Sequence, residues 1–191
     1  MPDFKSGAVK ANDLNFHYLE MGEGPLVLCL HGFPDHAYSF RHLLPDLAQA
    51  GFRAVAPFMR GYAPTEAPKD GRYQSVLMSK DVLALITALG AERAFLVGND
   101  WGAGAVSGAA VLEPEKVTKL VTIASGRADE DLTLNFQFLK GTWHGFFFQL
   151  PQAERTLAHN DFAFIEDWWR DASPEWDIPK EAIESIKATF R

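Results

Sequence analysis

Val97-Gly98-Asn99-Asp100-Trp101-Gly102-Ala103-Gly104 continues the apolar run Ala94-Phe95-Leu96-Val97 and leads into small residues that read as a helix over about 103–112. A side chain lifted on a sharp strand-to-helix turn needs very small neighbours two positions either side, or the backbone clashes. Gly98 and Gly102 flank Asp100 at that spacing. This is the pattern of a nucleophile elbow, with a carboxylate where the commoner form carries a serine. The helix that follows turns its N–H groups and positive dipole end towards that carboxylate. The competing reading is an ordinary helix N-cap, a frequent use of Asp. Gly-x-Asp-x-Gly alone does not separate the two.

A second motif favours the elbow. His31-Gly32-Phe33-Pro34 directly follows Leu26-Val27-Leu28-Cys29-Leu30, a continuous apolar run of the kind buried on both faces of a parallel sheet. Taken alone, His31-Gly32 is a polar turn. Two loops, each after an apolar strand and in this order, argue for a shared site.

Working outward, 5–11 and 14–20 alternate apolar and polar residues around Asn12-Asp13 and read as a hairpin. A helix is expected over 38–50, stopped by Gly51, and a strand over 52–56, closed by Pro57. The Gly-, Pro- and charge-rich stretch 60–72 is a surface loop. An amphipathic helix over 75–89 ends at Gly90, and a last strand covers Val117–Ile123. Strand–helix alternation of this kind predicts a mainly parallel sheet with helices on both faces, over 1–126. Strand signals then stop. Helices rich in Phe and Trp over 132–150, 153–170 and 179–190 predict a second, helical unit, 127–191, read as part of a cap because strands are missing, the alternative being further helices that cover the sheet. Asp129, Glu130 and Asp131 read as helix-start charges. Phe136, Phe138, Phe146, Phe147 and Phe148 read as the core of this unit, and Trp168 and Trp169 as packing.

The 191 residues carry 18 Lys and Arg against 25 Asp and Glu, a formal charge of −7, which argues against nucleic acid as a partner. The single cysteine, Cys29, lies in an apolar run and reads as a small buried hydrophobe. His17, His36, His42 and His159 show no metal-ligand spacing. No signal-like leader or membrane-length apolar run is seen, so no membrane role and a cytoplasmic location are expected.

The chain resembles the epoxide hydrolase and haloalkane dehalogenase branch of the α/β-hydrolase superfamily. The resemblance rests on 31–35, on Arg60-Gly61-Tyr62 with Thr65-Glu66-Ala67-Pro68, on 98–104, and on 143–151. It implies that Asp100 is the nucleophile and that the Phe33 and Trp101 N–H groups form the oxyanion hole. His31, Gly32, Pro34, Gly98 and Gly102 would then be the structural frame. The reaction implied is attack of the Asp100 carboxylate on saturated carbon, giving an alkyl-enzyme ester that water hydrolyses. No cofactor and no metal are called for, and the partner is a small apolar epoxide or halide.

Phe33 after His31-Gly32 leans towards epoxides, because dehalogenases often carry Asn there. Trp101 is where dehalogenases place a halide donor. Asn99 stands where the family commonly has His. Trp101 and Gly104 occupy places held by Arg in fluoroacetate dehalogenases, which disfavours that substrate. His144 stands where the branch has an epoxide-polarising tyrosine, and reads either as a donor or as a half-buried cap histidine. Trp143 and Phe147 are expected beside it in the substrate pocket. The superfamily's acid and histidine follow further strands, which this sequence does not contain. The sheet is therefore expected to lack its last strands, and the chain to be truncated and catalytically incomplete. Other α/β-hydrolase activities, and a non-catalytic binding protein on the same fold, remain the alternatives.

Overall fold

The structure, a computed structural model, describes residues 3–124 and 135–191. It divides into two compact units, Met1–Ser125 with Phe190, and Gly126–Thr189 with Arg191.

The first unit is built on a six-stranded sheet, β1 (Lys5–Ala11), β2 (Leu14–Met21), β3 (Leu26–Leu30), β4 (Arg53–Pro57), β5 (Ala94–Asn99) and β6 (Val117–Ile123). Their spatial order is β1-β2-β4-β3-β5-β6. The expected hairpin forms, with Asn12 and Asp13 both at positive φ, 44° and 66°, as a tight hairpin turn requires. β2 runs antiparallel to β4, and β4, β3, β5 and β6 are parallel to one another. The alternation of side chains along the central strands divides the core into two. Leu26, Leu28 and Leu30, with Val55 and Leu96, face one side; Val27 and Cys29, with Ala54, Ala56 and Val97, face the other.

Helix α2 (Ser75–Ala88) and helix α3 (Trp101–Leu112) cover the first side through Met78, Val82, Leu85, Ile86, Ala105, Val106 and Ala109. A short 3-10 turn (Ala37–Phe40) and helix α1 (Leu43–Gln49) cover the second through Ala37, Phe40 and Leu44. Both faces are therefore sheathed by helices, as the sequence pattern requires. Cys29 lies wholly inside, and burial pushes its thiol up to about 12.

Three boundaries differ from expectation. The helix expected over 38–50 is broken into the 3-10 turn and α1. Pro45 removes one N–H, and its ring clashes with a helical carbonyl four residues upstream, so α1 begins only two residues before it. Helix α3 starts at Trp101 rather than 103, because Asp100 alone turns the chain from strand to helix. Strand β6 has one neighbour among the described residues, and its Leu120, Val121 and Ile123 are exposed.

The second unit contains α4 (Phe136–Phe147), α5 (Ala153–Ala172) and α6 (Lys180–Phe190). Residues 132–134, expected to begin α4, and Asp129, Glu130 and Asp131 lie outside the described residues. Asn135 caps α4 by accepting from Phe138 N–H at 2.9 Å. Helix α5 is not one helix. His159 is extended, and Asn160, Asp161 and Phe162 are left-handed, a state that Asn and Asp tolerate and Phe does not favour.

A buried ion pair ties the first unit's loop to its helices. Arg60 donates to Asp81 through Nε at 2.6 Å and Nη2 at 2.7 Å, and Asn12 adds a third bond to Asp81 at 2.6 Å. Both charged residues are almost fully buried. Replacing Arg60 with Met leaves that carboxylate without its cation, so urea unfolding should show a loss of about 3–5 kcal/mol. A loss below about 1 kcal/mol would mean that the pair is solvated in practice.

Candidate active site

Strand β5 delivers Asp100 to the carboxyl end of the sheet, between β3 and β6. The Asp100 N–H donates to Ile123 O at the end of β6, 3.1 Å away. Its backbone then takes φ 53° and ψ −118°, a conformation that costs on the order of 1–3 kcal/mol. From there α3 begins at once, with Ala103 N–H and Gly104 N–H donating to Asp100 O at 2.9 and 3.2 Å.

The turn is possible because the chain beside it has no Cβ. A Cβ on Gly98 would lie 2.5 Å from Gly102 O and 2.6 Å from Val106 Cγ2. One on Gly102 would run into the Leu30 carbonyl and come within 2.5 Å of His31 O. One on Gly32 would collide with Asp100 itself, 2.7 Å from Cγ. Gly32 and Gly102 thus let the β3 loop and the start of α3 lie in contact, and Gly98 does the same within the turn.

The side chain of Asp100 makes no capping bond to its own helix. Its Oδ1 instead accepts from Phe33 N–H at 2.8 Å. This separates the two readings left open by Gly-x-Asp-x-Gly: the carboxylate is directed at the β3 loop, not at α3. The Trp101 N–H is the first of α3, among those a helix leaves without an internal partner. Its indole is largely exposed.

His31 is fully buried. Its Nε2 accepts from Met59 N–H at 3.0 Å, its Nδ1 lies 3.2 Å from Gly32 O, and Tyr62 packs edge-on at 4.7 Å. Burial is the main cause that lowers His31 to about 3. Burial first, and the Asp100 charge second, raise the Tyr62 phenol. No sequence pattern points to Met59, which acts through its main chain, and Tyr62 enters only as part of a resemblance. Pro34 is buried after Phe33. Asn99 ends β5 half-buried.

Trp143, His144 and Phe147 belong to the second unit. There α4 presents them, with Phe148, to the helical part of α5 after its break. His144 meets Trp168 edge-on at 4.7 Å, Phe147 stacks on Phe164 at 5.6 Å, and Trp143 lies 5.8 Å from Trp168. The expectation that Phe136 and Phe146 are core is wrong, since they are 75% and 57% exposed. Phe136 sits on the first turn of α4 and Phe146 off the stripe shared by 143, 144, 147 and 148. Trp169 packs on Trp176 at 5.5 Å, so both tryptophans do serve packing. Among the described residues, no group of three or more His, Cys, Asp or Glu has the arrangement of a metal site. No described helix is long and apolar enough to cross a membrane.

A family model described as the alpha/beta hydrolase fold matches residues 25–185. The chain belongs to the α/β-hydrolase family. Within it, the chain is epoxide-hydrolase-like. Epoxide hydrolase 2 of Siraitia grosvenorii is 38% identical over 125 residues, which is 65% of this chain and 40% of that protein. The crystal structure of an epoxide hydrolase from Vigna radiata matches at TM-score 0.82 and 30% identity, over 100% of this chain and 67% of that one. A variant of an epoxide hydrolase from Bacillus megaterium, complexed with its naphthyloxy-propanediol product, matches at TM-score 0.86 and 27% identity, over 96% and 66%. The chain therefore spans less than half the length of the curated relative and about two-thirds of each solved one.

Two tests of the frame follow. Gly102→Ala puts a methyl into backbone carbonyls and should lower the melting temperature sharply, whereas Gly104→Ala meets nothing within 4 Å and should be neutral or raise stability by about 1 kcal/mol. Equal melting curves would remove the close-approach argument. The second concerns pH. The folded value of His31 lies below its ordinary 6.5, so above 6.5 the imidazole is neutral in both states and contributes no pH dependence. As pH falls through 6.5 the unfolded chain gains the proton first, so stability is lost down to about 3 and no further from this group. Denaturant titrations of the parent and His31→Asn should diverge over that window, and parallel curves would contradict the assignment.

Proposed function

We propose that Asp100 is a carboxylate nucleophile and that its substrate is a small apolar epoxide, opened towards a diol through an ester on Asp100. The observation that carries this reading is the Asp100 carboxylate, strained out of its own helix and held by one oxygen on the Phe33 amide. In this scheme Oδ2 attacks an epoxide carbon. The new C–O bond forms as the ring C–O bond breaks, and the epoxide oxygen leaves as an alkoxide that takes up a proton. Oδ1 becomes the ester carbonyl oxygen, already on a donor. When water adds to Cγ, charge collects on Oδ1, where the Phe33 and Trp101 N–H groups would stabilise it. Loss of the alcohol from Cγ yields the diol and restores Asp100.

No residue of this chain is assigned as the base that activates that water, so the alkyl-enzyme ester is the product proposed for these 191 residues. Trp143, His144 and Phe147 enter the proposal as residues that meet the apolar part of the substrate. The aromatic diol held by the Bacillus megaterium relative supports an aromatic substrate. The cytoplasmic setting is part of the same proposal. A haloalkane would alkylate the same oxygen with release of halide.

Intact-protein mass spectrometry after exposure to styrene oxide should show a gain of one epoxide mass, mapped by peptide digestion to Asp100. Asp100→Ala and Asp100→Asn should show none. Free halide from a haloalkane, with no epoxide adduct, would turn the assignment to dehalogenation. No adduct with either reagent would support a binding protein on a hydrolase fold.

A further inference from the structure

His31 joins the ends of two neighbouring strands. Gly32 follows β3 by two residues, and Met59 follows β4 by two. A ring nitrogen that accepts a hydrogen bond carries no proton, so acceptance from Met59 N–H leaves the proton of the neutral ring on Nδ1. Nδ1–H then faces the Gly32 carbonyl oxygen. That carbonyl and the Phe33 N–H are opposite ends of one planar peptide unit. Holding the oxygen fixes the direction in which the N–H points, and the N–H points at Asp100 Oδ1, 2.8 Å away. The edge-on Tyr62 ring closes the remaining side. The one titratable group acting on the imidazole among the described residues is His36, which disfavours its cation, while a main-chain hydrogen bond with Asp35 favours it.

We propose that His31 is a positioning residue, whose Nδ1–H fixes the Gly32–Phe33 peptide plane and so aims the Phe33 N–H at the carboxylate. The proposal rests on Asp100 being the nucleophile. A plain polar turn would leave that plane to rotate, and Oδ1 would lose its directed donor. The neutral ring is essential: a protonated Nε2 can no longer accept from Met59, and the clamp opens.

The test uses two variants of this chain. His31→Asn keeps a donor close to the place of Nδ1, and His31→Leu keeps none. In 1H–15N spectra the Phe33 amide of the parent should be shifted downfield by its bond to the carboxylate, and Asp100→Asn should reduce that shift. His31→Leu should produce the same displacement with Asp100 intact, and label with styrene oxide roughly tenfold or more slower. His31→Asn should keep the Phe33 shift and label within about threefold of the parent. A folded His31→Leu protein with the parent's Phe33 shift and labelling rate would overturn the proposal. Should His31→Leu not fold, imidazole 15N shifts of the parent decide at neutral pH: a protonated Nδ1 with a bare Nε2 supports the clamp, and the other tautomer or a cation overturns it. A parent that never labels removes the nucleophile assignment instead. The Phe33 displacement would still report whether His31 aims the amide.

Discussion

One contact organises the first unit: the carboxylate of Asp100 against the amide of Phe33. It couples two loops 67 residues apart in sequence, one from each of two adjacent parallel strands. The contact is made by a main-chain donor, so it depends on how closely two backbones approach rather than on a matching side chain. That is why glycine recurs around it. Gly32 makes room for the carboxylate, Gly102 for the β3 carbonyls, and Gly98 for the turn itself. The strain at Asp100 is sustained by the Ile123 carbonyl on its N–H and by α3 on its carbonyl, so neighbouring strand and following helix both restrain it.

The second unit is organised differently. Its helices carry several partly exposed aromatic residues, and α4 has no buried residue at all. Rings from α4 and α5 meet edge-on, tilted and stacked at 4.7–6.4 Å. Such contacts are worth about 0.5–1.5 kcal/mol each beyond the area they cover. Its buried lysine, Lys187, is held by Glu166, a pairing that joins α6 to α5.

Much of the first unit was legible because local patterns and global fold agree there. Continuous apolar runs marked the buried strands, Asn12-Asp13 marked the hairpin, and Gly90 ended α2 within a residue of expectation. The Asp100 turn was legible from its two flanking glycines together with the His31-Gly32 loop after the neighbouring strand, since a close approach leaves a signature of missing side chains. The break at Pro45 is written in backbone geometry, which helical periodicity of side chains does not reveal. The interruption of α5 was not legible, because Asn160 and Asp161 stand in a segment whose spacing is otherwise helical. Nor were Met59 as the partner of His31, 28 residues away, and Arg60 and Asn12 as the partners of Asp81, 21 and 69 residues away, recoverable from local pattern. The number of phenylalanines on α4 does not say which stripe of the helix is covered, so Phe136 and Phe146 are exposed.

Two carboxylates of the first unit show how environment sets what a side chain can do. Asp81 receives two bonds from the Arg60 guanidinium and one from Asn12, and its cation neutralises it. An anion so saturated has little electron density to offer an electrophile, and moving it would break a buried pair. Asp100 receives one neutral amide donor on one oxygen, and no cation pairs with it among the described residues. Its second oxygen keeps the lone pairs that a nucleophile needs, while the first is already oriented. The same side chain is thus a structural anchor in one place and, in the function proposed, a nucleophile in another. What separates them is the charge of the partner and the number of donors, not the depth of burial alone.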